Sequence, residues 1–278
     1  MRRSLRLGSL ILAASMFILA GCGSNNTSSK NDSESQIKFD NTVYAKQDIF
    51  IDPSEVKEKL ESNDIIILDC NKPDVYEKEH IKGAVSIGLH YFSDKVGKPG
   101  DDGWGTIKKK EDLQKAIQSL GINKDKLVVF YSDAFKGPGA DGRAVWQLKM
   151  AGLDNVRILA GGLTNWKELG YDVSKEPIEA TPTNEIVDLK EYDETYYTTK
   201  ERVEENLGKE VLIDVRTKKE FEGSQNAGEP RGGHIEGAVH IEWLELLNKN
   251  GTPKSPDEIK SIMKEKAGVT VDDDFTVY

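Results

Sequence analysis

One segment occurs twice in this chain, and that repeat limits the folds open to it more than any other feature. Residues 64–87 (DIIILDCNKPDVYEKEHIKGAVSI) are echoed by residues 210–241 (EVLIDVRTKKEFEGSQNAGEPRGGHIEGAVHI). Asp69 matches Asp214, His80 matches His234, and the run KLVVFY ending at Tyr131 matches DFTVY ending at Tyr278. The offsets are 145, 154 and 147 residues, so one domain is duplicated with small loop insertions. A length of 278 residues agrees, being ample for two domains of ordinary size.

The first copy reads as alternating strands and helices. Asp52 and Pro53 have the character of a helix N-cap and first helical position, and Val56 with Leu60 form an apolar i,i+4 pair. Ile65 to Leu68 is a β-branched run suited to a strand buried on both faces. Leu113, Ala116, Ile117 and Leu120 repeat at helical spacing, and Leu127 to Tyr131 forms a second buried strand. A helix over 143–151, a strand over 156–159 and a short helix over 164–169 closed by Gly170 complete the unit. The fold class is therefore α/β with a largely parallel sheet flanked by helices. The first domain is expected over 44–175, a Pro/Thr-rich linker over 176–185, and the second domain over 186–278.

The amino terminus belongs to neither copy. Arg2, Arg3 and Arg6 precede a short apolar run from Leu10 to Ala20, which marks residues 1–21 as a secretion signal. Leu19-Ala20-Gly21-Cys22 resembles the bacterial lipoprotein signal, which implies that Cys22 is lipidated and becomes the first mature residue. Residues 22–43 open with GSNNTSSKNDSESQ after the cysteine and are expected to form a flexible tether. The mature protein is thus expected outside the cytoplasmic membrane, held on its outer face or in the cell envelope by lipid. The net charge of −10 becomes −13 once the signal is removed, which argues against nucleic acid as a partner. Two cysteines and four scattered histidines provide neither a disulfide framework nor a metal-ligand pattern, so no metal is expected.

A strand ending in Leu68-Asp69 or Ile213-Asp214-Val215-Arg216, an aromatic a few residues on, and then His-Ile-x-Gly-Ala resembles the rhodanese family of sulfurtransferases. Leu159-Ala160-Gly161-Gly162-Leu163 followed by Trp166 resembles that family's signature near the end of the domain. Two tandem copies are similar to the thiosulfate sulfurtransferase branch. The resemblance implies two rhodanese-like domains, the second incomplete, and no cofactor. It implies small-molecule or protein sulfur donors and acceptors. It also implies a cysteine thiolate that takes the sulfane sulfur and passes it on as a persulfide. That cysteine belongs directly after a strand, on a loop feeding a helix N-terminus.

In the first copy the residue after Tyr131 is Ser132, which has no comparable anionic form and cannot carry a persulfide. In the second copy the equivalent position follows Tyr278, where the sequence ends. Stopping there would strip a helix, a strand and a closing helix from an α/β unit. The sequence is therefore read as a fragment or an interrupted gene, whose complete form carries the cysteine after Tyr278. The chain as it stands is expected to be inactive. Cys70 is the remaining thiol, expected as a small buried residue near the sheet end. The candidate pocket residues are Asp214, Arg216, Glu220 and Arg231. Glu220 stands near where two-domain relatives often hold thiosulfate with an arginine, and Arg231 is a replacement cation. The alternative function is a cysteine-less binding or scaffold module at the cell surface. A phosphatase of this fold would need Cys-x5-Arg, and neither cysteine has an arginine at that spacing.

Overall fold

The computed structural model describes residues 37–278 apart from 102, 226, 227 and 229. The expected signal sequence, Cys22 and the expected tether up to residue 36 lie outside the described residues. The first half runs β1 (Phe50–Ile51), α1 (Pro53–Ser62), β2 (Ile65–Asp69), α2 (Pro73–Tyr76), β3 (His80–Ile81) and β4 (Val85–Ser86). It continues with a hairpin of β5 (Ser93–Lys95) and β6 (Trp104–Ile107), then α3 (Lys110–Ser119), β7 (Leu127–Tyr131), α4 (Ala140–Met150), β8 (Val156–Leu159), α5 (Gly162–Glu168) and β9 (Val173–Ser174). The second half holds α6 (Lys200–Glu205), β10 (Val211–Asp214), α7 (Lys218–Phe221), β11 (Val239–His240), α8 (Pro256–Ala267) and β12 (Phe275–Val277).

The first sheet is parallel throughout, in the order β1-β8-β7-β2-β4. Its central pair is in register from Ile65 opposite Leu127 to Asp69 opposite Tyr131. Side chains alternate between two cores, which explains the unbroken apolar runs. Leu68, Val128 and Phe130 pack with α3 and α4 through Leu113, Ile117 and Leu148. Ile65, Ile67, Val129 and Tyr131 pack on the other face with Val56 of α1 and Leu163 and Trp166 of α5. Asp52 caps α1 by accepting from the Ser54 N–H at 2.7 Å, and Pro53 occupies the first turn. Helix α4 starts three residues before the expected 143, because Gly139 adopts a left-handed φ of 70° and turns the chain into the helix early.

The second sheet is parallel in the order β11-β10-β12, with Ile213, Ile241 and Val269 at its centre. An apolar cavity of about 310 Å³ opens beside α8, lined in part by Val215, Met263, Phe275 and Val277.

Two expected boundaries are corrected. The tether does not run to residue 43: Phe39 is buried and stacks on Tyr44 at 5.8 Å between ring centres. The Ile37 carbonyl accepts from the Asn250 side chain at 3.1 Å, and the Tyr44 hydroxyl donates to the Lys254 carbonyl at 2.8 Å. This segment therefore joins the first domain to the second. Nor is 176–185 a free linker. His80 Nε2 lies 3.0 Å from the Glu176 carbonyl, the Ile178 N–H donates to the Tyr76 hydroxyl, and the Thr183 N–H donates to the Gln118 carbonyl. Val187, Leu189 and Tyr192, expected in the second domain, pack on the first domain's core. Backbone groups that look solvated in the sequence find partners on the first domain, and Leu189 buries its side chain there.

Candidate active site

The carboxyl ends of the parallel strands meet in both halves, and the two ends are built bond for bond alike. The Cys70 N–H donates to the Tyr131 carbonyl at 2.9 Å, and the Val215 N–H donates to the Tyr278 carbonyl at 3.0 Å. The Ile81 N–H donates to the Tyr131 hydroxyl at 3.0 Å, as the Ile235 N–H does to the Tyr278 hydroxyl at 2.9 Å. His80 stacks on Tyr76 with its Nδ1 2.8 Å from the Tyr76 carbonyl. His234 stacks on Phe221 with its Nδ1 2.9 Å from the Phe221 carbonyl. Tyr278 therefore stands where Tyr131 stands, and the position after it corresponds to Ser132. The histidines hold loops in place; among the described residues no group of His, Cys, Asp and Glu is arranged to hold a metal.

The first domain's strand end is closed by its own side chains. Ser132 is buried and its hydroxyl donates to the Asp141 carboxylate at 2.8 Å, near the start of α4. Burial pushes the Asp141 carboxyl up, partly countered by that hydroxyl and by neighbouring backbone N–H groups. The Asp133 N–H donates to the Asn71 side chain at 2.8 Å, and Lys136 pairs with Asp133 at 2.8 Å. Cys70 is buried in the core. Burial pushes its thiol well above the ordinary value, and the carboxylates of Asp141 and Asp69 push it further the same way. That environment disfavours a thiolate.

In the second domain the structure brings Asp214 and Arg216 together. Arg216 donates through Nε at 3.0 Å and Nη2 at 2.6 Å to the two oxygens of Asp214, and through Nη2 to the Gly233 carbonyl at 2.9 Å. Burial alone would raise the Asp214 carboxyl, but the hydrogen bonds and charge of Arg216 outweigh it and hold the group below its ordinary range. Asn71 occupies the Arg216 position in the first domain. There burial pushes Asp69 up, only partly countered by hydrogen bonds from Tyr131 and Asn71. Glu220 does not face an anion. Its carboxylate accepts from the Thr217 hydroxyl at 2.6 Å and the Thr217 N–H at 3.1 Å, forming the capping box of α7. Arg231 is exposed, two residues before Gly233 on the loop that Arg216 ties down.

Sequence reasoning passed over two residues at this junction. Trp243 has its backbone N–H on the Val215 carbonyl at 3.1 Å, and its indole lies against Gly139 of the first domain. Arg143, one turn further along α4, is the other.

The profile of the Rhodanese-like domain family matches residues 52–169 and 199–278. The chain is 29% identical over 252 residues to the sulfur carrier protein TtuD of Thermus thermophilus, covering 84% of this chain and 83% of that one. It is 32% identical over 201 residues to a thiosulfate sulfurtransferase of Mus musculus, covering 69% of this chain and 64% of the mouse protein. The crystal structure of SseA from Escherichia coli, a 3-mercaptopyruvate sulfotransferase, superposes with a TM-score of 0.66 at 26% identity, over 82% of this chain and 87% of that one.

Proposed function

The chain belongs to the rhodanese-like sulfurtransferase family, and from that premise we propose that its complete form moves sulfane sulfur from thiosulfate or a persulfide donor to a thiophilic acceptor. The matched bonding of Tyr131 and Tyr278 carries this reading. On this reading the residue after Tyr278 heads a loop at the carboxyl end of the parallel sheet, where backbone N–H groups favour an anion. A cysteine there attacks the outer sulfur of thiosulfate. The S–S bond breaks, sulfite leaves with the electron pair, and the cysteine holds the sulfur as a persulfide. An acceptor such as cyanide then takes that sulfur, forming thiocyanate and returning the thiolate. The Asp214–Arg216 pair anchors the neighbouring loop through Gly233 and acts as positioning machinery.

Neither residue at the first domain's strand end supplies the nucleophile. Ser132 is a hydroxyl bound to Asp141, and Cys70 is buried with a raised pKa. The test measures thiocyanate formation from thiosulfate and cyanide by the 278-residue chain and by a form extended through the gene sequence after Tyr278. Turnover is expected only in the extended form, and only if a cysteine follows Tyr278. Turnover by the short form that disappears in Cys70→Ser would overturn this placement of the nucleophile. An extended form with no cysteine and no turnover would favour a binding or scaffold module instead.

A further inference from the structure

Arg143 is a partly buried cation to which the described residues of the first domain bring no anion. Its guanidinium donates to the Gly105 carbonyl and, at 3.4 Å, to the Ser93 hydroxyl, both of them neutral acceptors. Burial lowers its pKa, and no described carboxylate offsets that effect. Among the described residues the carboxylates around it are engaged elsewhere. Asp94 of the hairpin pairs with Lys108 at 3.3 Å, Asp101 accepts from the Lys98 N–H at the hairpin tip, and Asp141 of α4 accepts from Ser132. Across the domain junction Glu245 pairs with Lys266. The charges that do face the site are positive: after burial itself, Lys95 and Arg143 are what push the His90 imidazole below its ordinary value. A cation withdrawn from water without a counter-charge is costly unless a ligand supplies the charge.

The start of the helix that carries Arg143 lies against the second domain. The Arg143 N–H donates to the Gly139 carbonyl at 3.2 Å, and residues four apart share a helix face. A Cβ placed on Gly139 would lie 3.7 Å from the Trp243 indole. Trp243 is bonded to Val215, and Val215 to Tyr278. The hairpin also touches the second domain, since a Cβ on Gly228 would come within 2.6 Å of the Pro99 carbonyl. Within the second domain, Arg216 is committed to Asp214 and Gly233.

We propose that Arg143, backed by Lys95, holds a compact oxyanion group on the sulfur donor, making it a specificity-determining residue that the first domain contributes to the second domain's reaction site. The donor assignment rests on the sulfurtransferase reading; the anion site does not. Inorganic sulfate is the probe, because it does not react. Binding to the 278-residue chain is followed through tryptophan emission, since the Trp146 ring centre lies 6.0 Å from the Arg143 guanidinium. A saturable change is expected, weakened about tenfold or more in Arg143→Gln and largely kept in Arg143→Lys. Lys95 is exposed, so Lys95→Gln keeps the test open should Arg143→Gln fail to fold, and it is expected to weaken binding about twofold to threefold. Absence of saturable binding, or binding indifferent to both substitutions, overturns the inference. In the extended protein, Arg143→Gln should raise the KM for thiosulfate about tenfold and leave kcat nearly unchanged. Sulfate binding that needs Arg143 in an extended protein without sulfur transfer would retain the anion site and refute the donor reading.

Discussion

Two aspartates at matching positions have opposite surroundings, and this makes the chain its own control. Asp214 is held ionised by Arg216, whereas Asp69 faces Asn71 and is pushed up by burial. A depressed carboxyl contributes stability above its unfolded pKa and loses it as pH falls through the folded value; a raised one does the reverse. Removing the guanidinium with Arg216→Met should therefore cost about 3 kcal/mol at pH 7. That is the lower end for breaking a buried pair, since Arg216 is 27% exposed. The loss should shrink as acid protonates Asp214. In the first domain, Asp69→Asn should be neutral or stabilise by about 1 kcal/mol at pH 7, because it removes a poorly compensated buried charge. That gain should fade toward acid pH, where the wild-type carboxyl is itself protonated. Urea unfolding of each variant at pH 7 and pH 4 checks both signs. A destabilised Asp69→Asn protein at pH 7 would refute the contrast.

Among the elements, those buried on both faces were the most legible in the sequence. The β2 and β7 runs have no polar position to mislead, since each residue enters one of the two cores. The start of α4 was less so, because the left-handed turn at Gly139 has no apolar periodicity to announce it. The segment over 176–193 was misread for a different reason. Its Pro/Thr-rich composition looks solvated, yet its backbone pairs with Tyr76, His80 and Gln118, and Leu189 enters the first core. Limited proteolysis should accordingly leave a fragment ending past residue 193, where the packed segment gives way. Cleavage concentrated between 176 and 185 would contradict the packing. The site followed the same division. Asp214 and Arg216 were visible as a strand-end pair, whereas the role of Glu220 as a helix cap depends on Thr217 turning back onto it. That of Arg143 depends on neighbours from distant segments, which no local pattern encodes.

At the scale of the whole molecule the open question is where a strongly acidic two-domain protein is held. Among the described residues no helix is long and apolar enough to cross a membrane. We propose attachment through Cys22, which follows Leu19-Ala20-Gly21 and lies outside the described residues. The residues between Cys22 and Ile37 are almost wholly small, polar or charged. A single acyl chain holds a protein only reversibly, so stable attachment requires more than one chain on or near Cys22. We therefore expect metabolic labelling with a fatty acid in a bacterial host to mark the wild-type protein and place it in the membrane fraction. Cys22→Ala should remove the label and leave the protein unprocessed or released into the medium. Extraction by detergent but not by high salt would identify the hold as lipid rather than charge. Equal labelling of wild type and Cys22→Ala, or release of both by salt alone, would refute the anchor.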